Sequence, residues 1–339
     1  MTKQLLLGLL ILAVSVNSFA QKDSSSKMFG PNTEENTLLK LRYAMEKAVK
    51  PSEKKVILKK IGETGTFQGM MYAGSFVDSA KLGKQAARAF VKIALAHPEF
   101  NGVNTRQILR QAQGKVGMGL RNKIQQYMEK NPKEVGFVSL FNGKDLTGWK
   151  GLVKNPIERA KMSLEELAKE QVKADAKMHQ DWKVENGLLV YAGSGFDNIC
   201  TESQYGDFEM YIDWMLDPEG KEPDAGIYLR GTPQVQIWDT SRVNVGAQVG
   251  SGGLYNNKKN MSKPLMVADN QTGVWNSFYI KMIGDKVTVF LNGEKVVDNV
   301  VMENYWDRNQ GIFPIEQIEL QAHGSKVYYR DIYIRRIEN

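Results

Sequence analysis

Two periodicities divide this chain. From about Glu34 to Lys130, apolar residues recur at three- and four-residue steps, as in Leu38, Leu39, Leu41, Ala44, Met45 and Ala48. That spacing lines one face of a helix. The breaks between such stretches predict a helix from residue 34, a second over 51–61 opened by Pro51, and others over 66–75, 79–96, 104–116 and 118–130, with Thr105 as the cap of the fifth. His97-Pro98 closes the fourth and Asn131-Pro132 the last, because a residue before proline is steered away from helical backbone.

From Val135 the texture changes. Short runs rich in Val, Ile, Phe, Tyr and Trp alternate with Gly, Asn and Asp turns, and predict strands over 137–140, 187–191, 208–215, 225–229, 235–238, 277–283, 287–291, 295–298, 318–321 and 327–334. Gly284-Asp285 and Asn292-Gly293 are two-residue turns between apolar runs, so 277–298 reads as a three-strand meander. Short strands without interleaved helices argue an antiparallel sandwich. One helix interrupts them. Ser163 and Glu166 form a capping box, and a mostly charged helix follows through about Lys177, placed on the surface or over one end of the sandwich. The fold class is therefore multi-domain: an all-α region over 34–132, a bundle or a short helical repeat, precedes an all-β antiparallel sandwich over 136–339 that carries a helical insert at 156–180. No fixed period supports the repeat version.

The first residues read differently again. Lys3, the apolar run Leu5 to Val14 and the small residues of Ser18-Phe19-Ala20 predict a signal peptide over 1–20, cleaved near Ala20, followed by a flexible leader over 21–33. The apolar run is too short to span a bilayer. The expectation is a periplasmic or secreted protein with no transmembrane segment. Cys200 is the sole cysteine of 339 residues, which excludes an intramolecular disulfide, and it reads as a small buried apolar residue. The net charge of +7 is uneven: residues 21–135 hold 21 Lys/Arg against 10 Asp/Glu, while 136–339 hold 23 against 28. The lysines of the helical region are scattered rather than massed, which fits a solvated face and no nucleic-acid partner, and leaves open a protein partner for that region.

The segment from Asp224 to Asp239, DAGIYLRGTPQVQIWD, carries the strongest chemical signal. Strand alternation sends Gln234, Gln236 and Trp238 to one face and Val235, Ile237 and Asp239 to the other. Amides and an indole on one sheet face suit a sugar, whose hydroxyls need donors and acceptors and whose C–H faces need an aromatic plane. Arg230, Tyr255, Trp275, Gln321, His323 and Arg330 are further polar or aromatic candidates from separate runs, though Trp275 reads better as core. His323, in QAHG at a strand end, reads as a base or metal ligand, since imidazole titrates near neutrality, or as a structural histidine in a turn. His97 and His179 join no polar cluster and read as structural. Asp239 reads equally well as a turn residue closing a strand, and an ion pair with Asp224, Asp239 or Glu209 inside the sandwich competes for Arg230. The glycines at 250, 252 and 253 lack a following Lys-Ser/Thr and do not open a helix, so they are no phosphate cradle. HExxH, paired CxxC and GxSxG patterns are absent.

FNGKDLTGWKG (141–151), WKVENGLLVY (182–191), YGDFEMYIDW (205–214), DAGIYLRGTPQVQIWD (224–239), GGLYNN (252–257), WNSFYIKMIGDKVTVFLNG (275–293) and IELQAHGSKVYYRDIYIRRI (318–337) occur in this order. Together they resemble the 3-keto-disaccharide hydrolase domain family over about 136–337; the helical region is not covered. The resemblance implies a concanavalin-like, laminin-G-like jelly roll and action on glycosides already oxidised at C3. A base removes the acidified C2 proton, the C1 substituent leaves, and water adds to the enone. It implies His323, Asp239 and Arg230 as catalytic groups, Gln234, Gln236, Trp238, Tyr255 and Gln321 as sugar contacts, and one divalent metal with Asp239 and His323 as candidate ligands. The family often has glutamate where Gln234 stands, and Asn or Ser where this chain has Asp224-Ala225. These departures shift Gln234 toward sugar contact. The alternative is a non-catalytic carbohydrate-binding module, since such folds often only bind. A third reading makes the helical region an adaptor for the oxidoreductase that forms the ketone.

Overall fold

The computed structural model describes residues 28–131, 135–193 and 195–338. The expected signal segment, and the leader up to residue 27, lie outside the described residues. The end of that leader is not a loose tether. Phe29 is buried, the Gly30 N–H donates to Asn270 at 2.7 Å, and the Thr33 hydroxyl donates to the Asn292 carbonyl at 2.6 Å. Residues 28–33 thus fasten the chain to the sandwich before the first helix begins, a correction to the leader expected over 21–33.

Six helices follow: α1 (Glu34–Lys47), α2 (Pro51–Thr64), α3 (Phe67–Gly74), α4 (Gly83–Ala96), α5 (Val103–Gln113) and α6 (Met118–Lys130). Thr33 and Thr66 accept the first free N–H groups of α1 and α3, and Pro51 sits where α2 needs no donor. Thr105 is not a cap. It lies inside α5, and its hydroxyl donates to the Phe100 carbonyl at 2.7 Å. The helices form a bundle around α4, whose buried Ala86, Phe90, Val91, Ile93 and Ala94 pack against α2, α3, α5 and α6.

Among the described residues the sandwich holds thirteen strands. β1 (Val138–Ser139), β3 (Trp182–Glu185), β4 (Leu188–Tyr191), β6 (Phe208–Leu216), β9 (Asn276–Ile283), β10 (Lys286–Leu291), β11 (Glu294–Val301) and β13 (Val327–Arg336) make an eight-stranded sheet in the order β11-β10-β9-β6-β13-β4-β3, with β1 paired to β13. β2 (Trp149–Gly151), β5 (Ile199–Thr201), β7 (Asp224–Leu229), β8 (Thr232–Trp238) and β12 (Glu319–Leu320) make the second sheet, in the order β2-β5-β12-β7-β8. Every pairing is antiparallel. Three short strands, β2, β3 and β5, are not among those the sequence pattern predicts. The insert is α7 (Pro156–Arg159) and α8 (Leu164–Asp181), opened by the expected Ser163–Glu166 box. α8 packs against β2 and β3, the end strands of the five-stranded and the eight-stranded sheet.

The inner faces of both sheets share one apolar core, including Ile212, Trp214, Ile227, Ile237, Phe278 and Tyr329. Each sheet therefore turns a second face outward, and the two outer faces differ in use. The helical bundle covers that of the eight-stranded sheet. Phe67 of α3 stacks on Tyr211 at 4.7 Å, with Phe137 and Tyr333 beside it. Gln68 donates to Ser277 at 2.6 Å. At the centre Arg42 of α1 reaches Asp213 at 3.3 Å and bonds Asp331, while Arg330 donates to Asp213 at 3.2 Å. No helix among the described residues is long and apolar enough to cross a membrane. The outer face of the five-stranded sheet remains for a ligand.

Candidate functional site

Alternation along β7, β8 and β12 builds the site. Ala225, Ile227, Val235, Ile237 and Leu320 point into the core, so their neighbours Asp224, Tyr228, Gln234, Gln236, Trp238 and Gln321 point outward. With His323 and Arg242 they line a hollow of about 500 Å³, walled on the far side by Tyr255, Tyr305 and Trp306. Gly226 stands at the centre of the floor. A Cβ there would meet the Gln234 carboxamide carbon at 2.8 Å and the Gln321 Oε1 at 3.0 Å, so glycine leaves room for two amides.

The floor is a relay of polar groups. Gln234 donates to the Gln236 Oε1, and Gln236 donates to the Asp224 Oδ1 at 2.8 Å and to the Ala225 and Ile237 carbonyls. Both amides are buried, and their orientation is thereby set. The second Asp224 oxygen faces two basic groups: His323 Nδ1 at 3.9 Å and an Arg242 nitrogen at 3.8 Å. Burial raises the Asp224 carboxyl above its ordinary value, and His323, the Gln236 hydrogen bond and Arg242 only partly offset this. The edge of Phe196 holds the His323 ring, with centroids 5.5 Å apart. His323 Nδ1 and Gln321 Oε1 are buried without a hydrogen-bond partner among the described residues. Such groups are available to a ligand. Trp238 and Tyr255 meet edge to face at 5.4 Å, leaving Tyr255 half exposed as a rim.

The structure brings His323, Gln234, Gln236, Trp238, Tyr255 and Gln321 together, and separates Asp239 and Arg230 from them. Asp239 falls on the opposite side of β8 from the amides, as alternation requires. Its carboxylate accepts from the Ser241 hydroxyl at 2.8 Å and the Thr272 hydroxyl at 2.7 Å. Burial would raise it, yet these bonds hold it below its usual value. Arg230 sits in the two-residue turn that joins β7 to β8, with φ of 49° before Gly231 at 66°. It lies at the other end of β7 from Asp224, about 20 Å along a strand rising ~3.3 Å per residue. Its guanidinium donates to Asp207 at 2.9 Å and to the Phe313 carbonyl at 3.4 Å. The partner is none of the carboxylates weighed from the sequence. Asp224 and Arg242 stand where Asp239 and Arg230 were expected.

Asp224 was open to discovery, since alternation from Gln236 across the hairpin places it on the amide face. Arg242, Tyr305 and Trp306 were not, because they come from irregular loops. Trp275 and Arg330 belong elsewhere: the Arg330 guanidinium lies 3.8 Å from the Trp275 ring centre at the helical interface. His97 pairs with Glu99, and His179 ends α8. Asp239 and His323 share no site, and among the described residues no three His, Cys, Asp or Glu side chains converge as ligands.

A two-sheet antiparallel jelly roll with an amide-floored, aromatic-rimmed hollow defines a carbohydrate-directed domain. The chain belongs to the family of 3-keto-alpha-glucoside-1,2-lyase-like domains, which matches residues 136–335. Among solved structures, a candidate glycosyl hydrolase from Parabacteroides distasonis ATCC 8503 is 24% identical, with 60% of this chain and 94% of that chain covered and a TM-score of 0.45. A second from the same organism is 21% identical, with 59% and 99% covered and a TM-score of 0.42. A carbohydrate-binding module from Bacillus subtilis is 11% identical, with 56% and 96% covered and a TM-score of 0.33. No curated protein matches the chain.

Proposed function

We propose that the sandwich cleaves glycosides bearing a ketone at C3, by elimination across C1–C2 followed by hydration. The observation that carries this reading is the meeting of His323, Asp224 and Arg242 over a floor of oriented amides, with the imidazole Nδ1 3.9 Å and a guanidinium nitrogen 3.8 Å from one carboxylate oxygen. A C3 ketone acidifies the C2 proton. His323 takes that proton, and the electron pair passes into the enolate. Asp224 supports the imidazolium that forms, and Arg242 supplies positive charge near the growing enolate oxygen. The enolate reforms the ketone as the C1–O bond breaks, and the leaving oxygen takes up a proton. Water then adds to the enone, so the net change is hydrolysis. Gln234, Gln236 and Gln321 fix sugar hydroxyls, while Trp238 and Tyr255 offer apolar faces to the ring.

Incubation of the purified protein with a 3-keto-disaccharide, with and without chelator, tests the reading. Release of the leaving sugar, accompanied by solvent deuterium at C2 in the product and abolished in His323→Asn, is the expected outcome. Tight binding with no product under either condition overturns the catalytic claim and leaves a carbohydrate-binding module.

A further inference from the structure

A second hollow of about 270 Å³ adjoins the first and shares Gln236, Trp238, Val245 and Tyr255 with it. The pair Trp238–Tyr255 is the partition. Beyond it, the loop from Gly246 to Gly253 and the segment Ser262–Pro264 face each other. A Cβ at Gly253 would lie 2.5 Å from the Ser262 carbonyl oxygen, so glycine allows the two segments to close the floor. The charges of the two hollows differ. The first contains the carboxylates Glu222 and Asp224 together with Arg242. The second contains a single charged side chain, Lys263, and no carboxylate. Lys263 is exposed, and no carboxylate pairs with it among the described residues.

We infer that the second hollow receives the leaving half of the substrate, and that Lys263 selects a leaving sugar carrying a carboxylate, that is, a uronic acid. The inference rests on the reading above, since it takes His323 and Asp224 to mark the ring that is oxidised. A glycosidic bond then crosses the Trp238–Tyr255 partition, where both rings can meet an aromatic edge. A neutral leaving sugar would meet the amide and glycine backbone but would leave the ammonium without a counter-charge. A positively charged leaving group would be repelled by it.

Two 3-keto-glucosides that differ only in the leaving sugar, glucose or glucuronic acid, provide the test. The uronate is expected to show a KM lower by about two- to fivefold at low salt, the range for one exposed charge pair. That preference should vanish in Lys263→Gln. Equal KM values in the wild type, or a preference that survives in Lys263→Gln, overturn the inference. Calorimetric titration with the unoxidised disaccharides separates this result from failure of the reaction. Preferential binding of the uronate, lost in Lys263→Gln, supports the second hollow even where neither keto-sugar is cleaved. Equal binding of the two disaccharides overturns it.

Discussion

Asp224→Asn separates chemistry from stability. Asparagine keeps the shape and the acceptor for Gln236, and removes the charge that faces His323 at 3.9 Å. Two unit charges at that distance attract by about 4 kcal/mol at an effective dielectric of ~20. His323 is 32% exposed, and solvent at its open side reduces the figure to about 2 kcal/mol. If His323 becomes cationic in the transition state, the variant loses about 2 kcal/mol of stabilisation, or roughly 30-fold in kcat. The fold should respond in the opposite sense. Burial raises the Asp224 pKa above its unfolded value. Its ionised form is thus disfavoured in the native state, and the favourable contribution present at low pH is lost as pH rises through the folded value. The neutral amide avoids that loss, so the melting temperature at pH 7 should hold or rise. Steady-state kinetics on a 3-keto-disaccharide and thermal unfolding of the same preparations give both numbers. A variant with more than a third of the wild-type kcat, and unchanged KM, would show that Asp224 does not support the base. A variant that loses activity together with several degrees of melting temperature would place Asp224 in the fold rather than the reaction.

Arg42→Met leaves the buried Asp213 and the part-buried Asp331 with Arg330 as their remaining cation, and should cost about 3–5 kcal/mol in urea unfolding; less than 1 kcal/mol would mean that the helical bundle is held by its aromatic contacts alone. Burial pushes Glu319 up to about 8, so it is neutral at pH 7, and its contribution to stability should fade as pH climbs from the ordinary carboxylate range through 8. Glu319→Gln should therefore gain more stability at pH 9 than at pH 5, and equal shifts at both would contradict the burial argument. Burial likewise raises the Cys200 thiol to about 12. A thiol reagent at pH 8 should leave it unmodified in the native protein and label it only after unfolding, and rapid native labelling would show that the strand pair around it opens.

The local chemistry of the polymer was enough to determine where helix gives way to strand, the meander over 277–298, the capping box of the insert, and the division of Gln234, Gln236 and Trp238 from Val235 and Ile237. Those features depend on periods of a few residues and on turn chemistry, which no distant contact has to supply. The same alternation already set Asp239 apart from the amides. Which groups face His323 is a different kind of property. Asp224 and Arg242 reach it only because β12 lies beside β7 and an irregular loop folds back over the hairpin. Arg230 is drawn away because its turn lies at the far end of β7, next to Asp207. The helical region shows the same limit. Its apolar stripes announced a bundle, but its attachment required Arg42 to find two carboxylates, Asp213 and Asp331, more than 170 residues further along the chain. Periodicity is a property of neighbours in the chain, whereas an ion pair or a cavity is a property of neighbours in space, and only packing makes the second from the first.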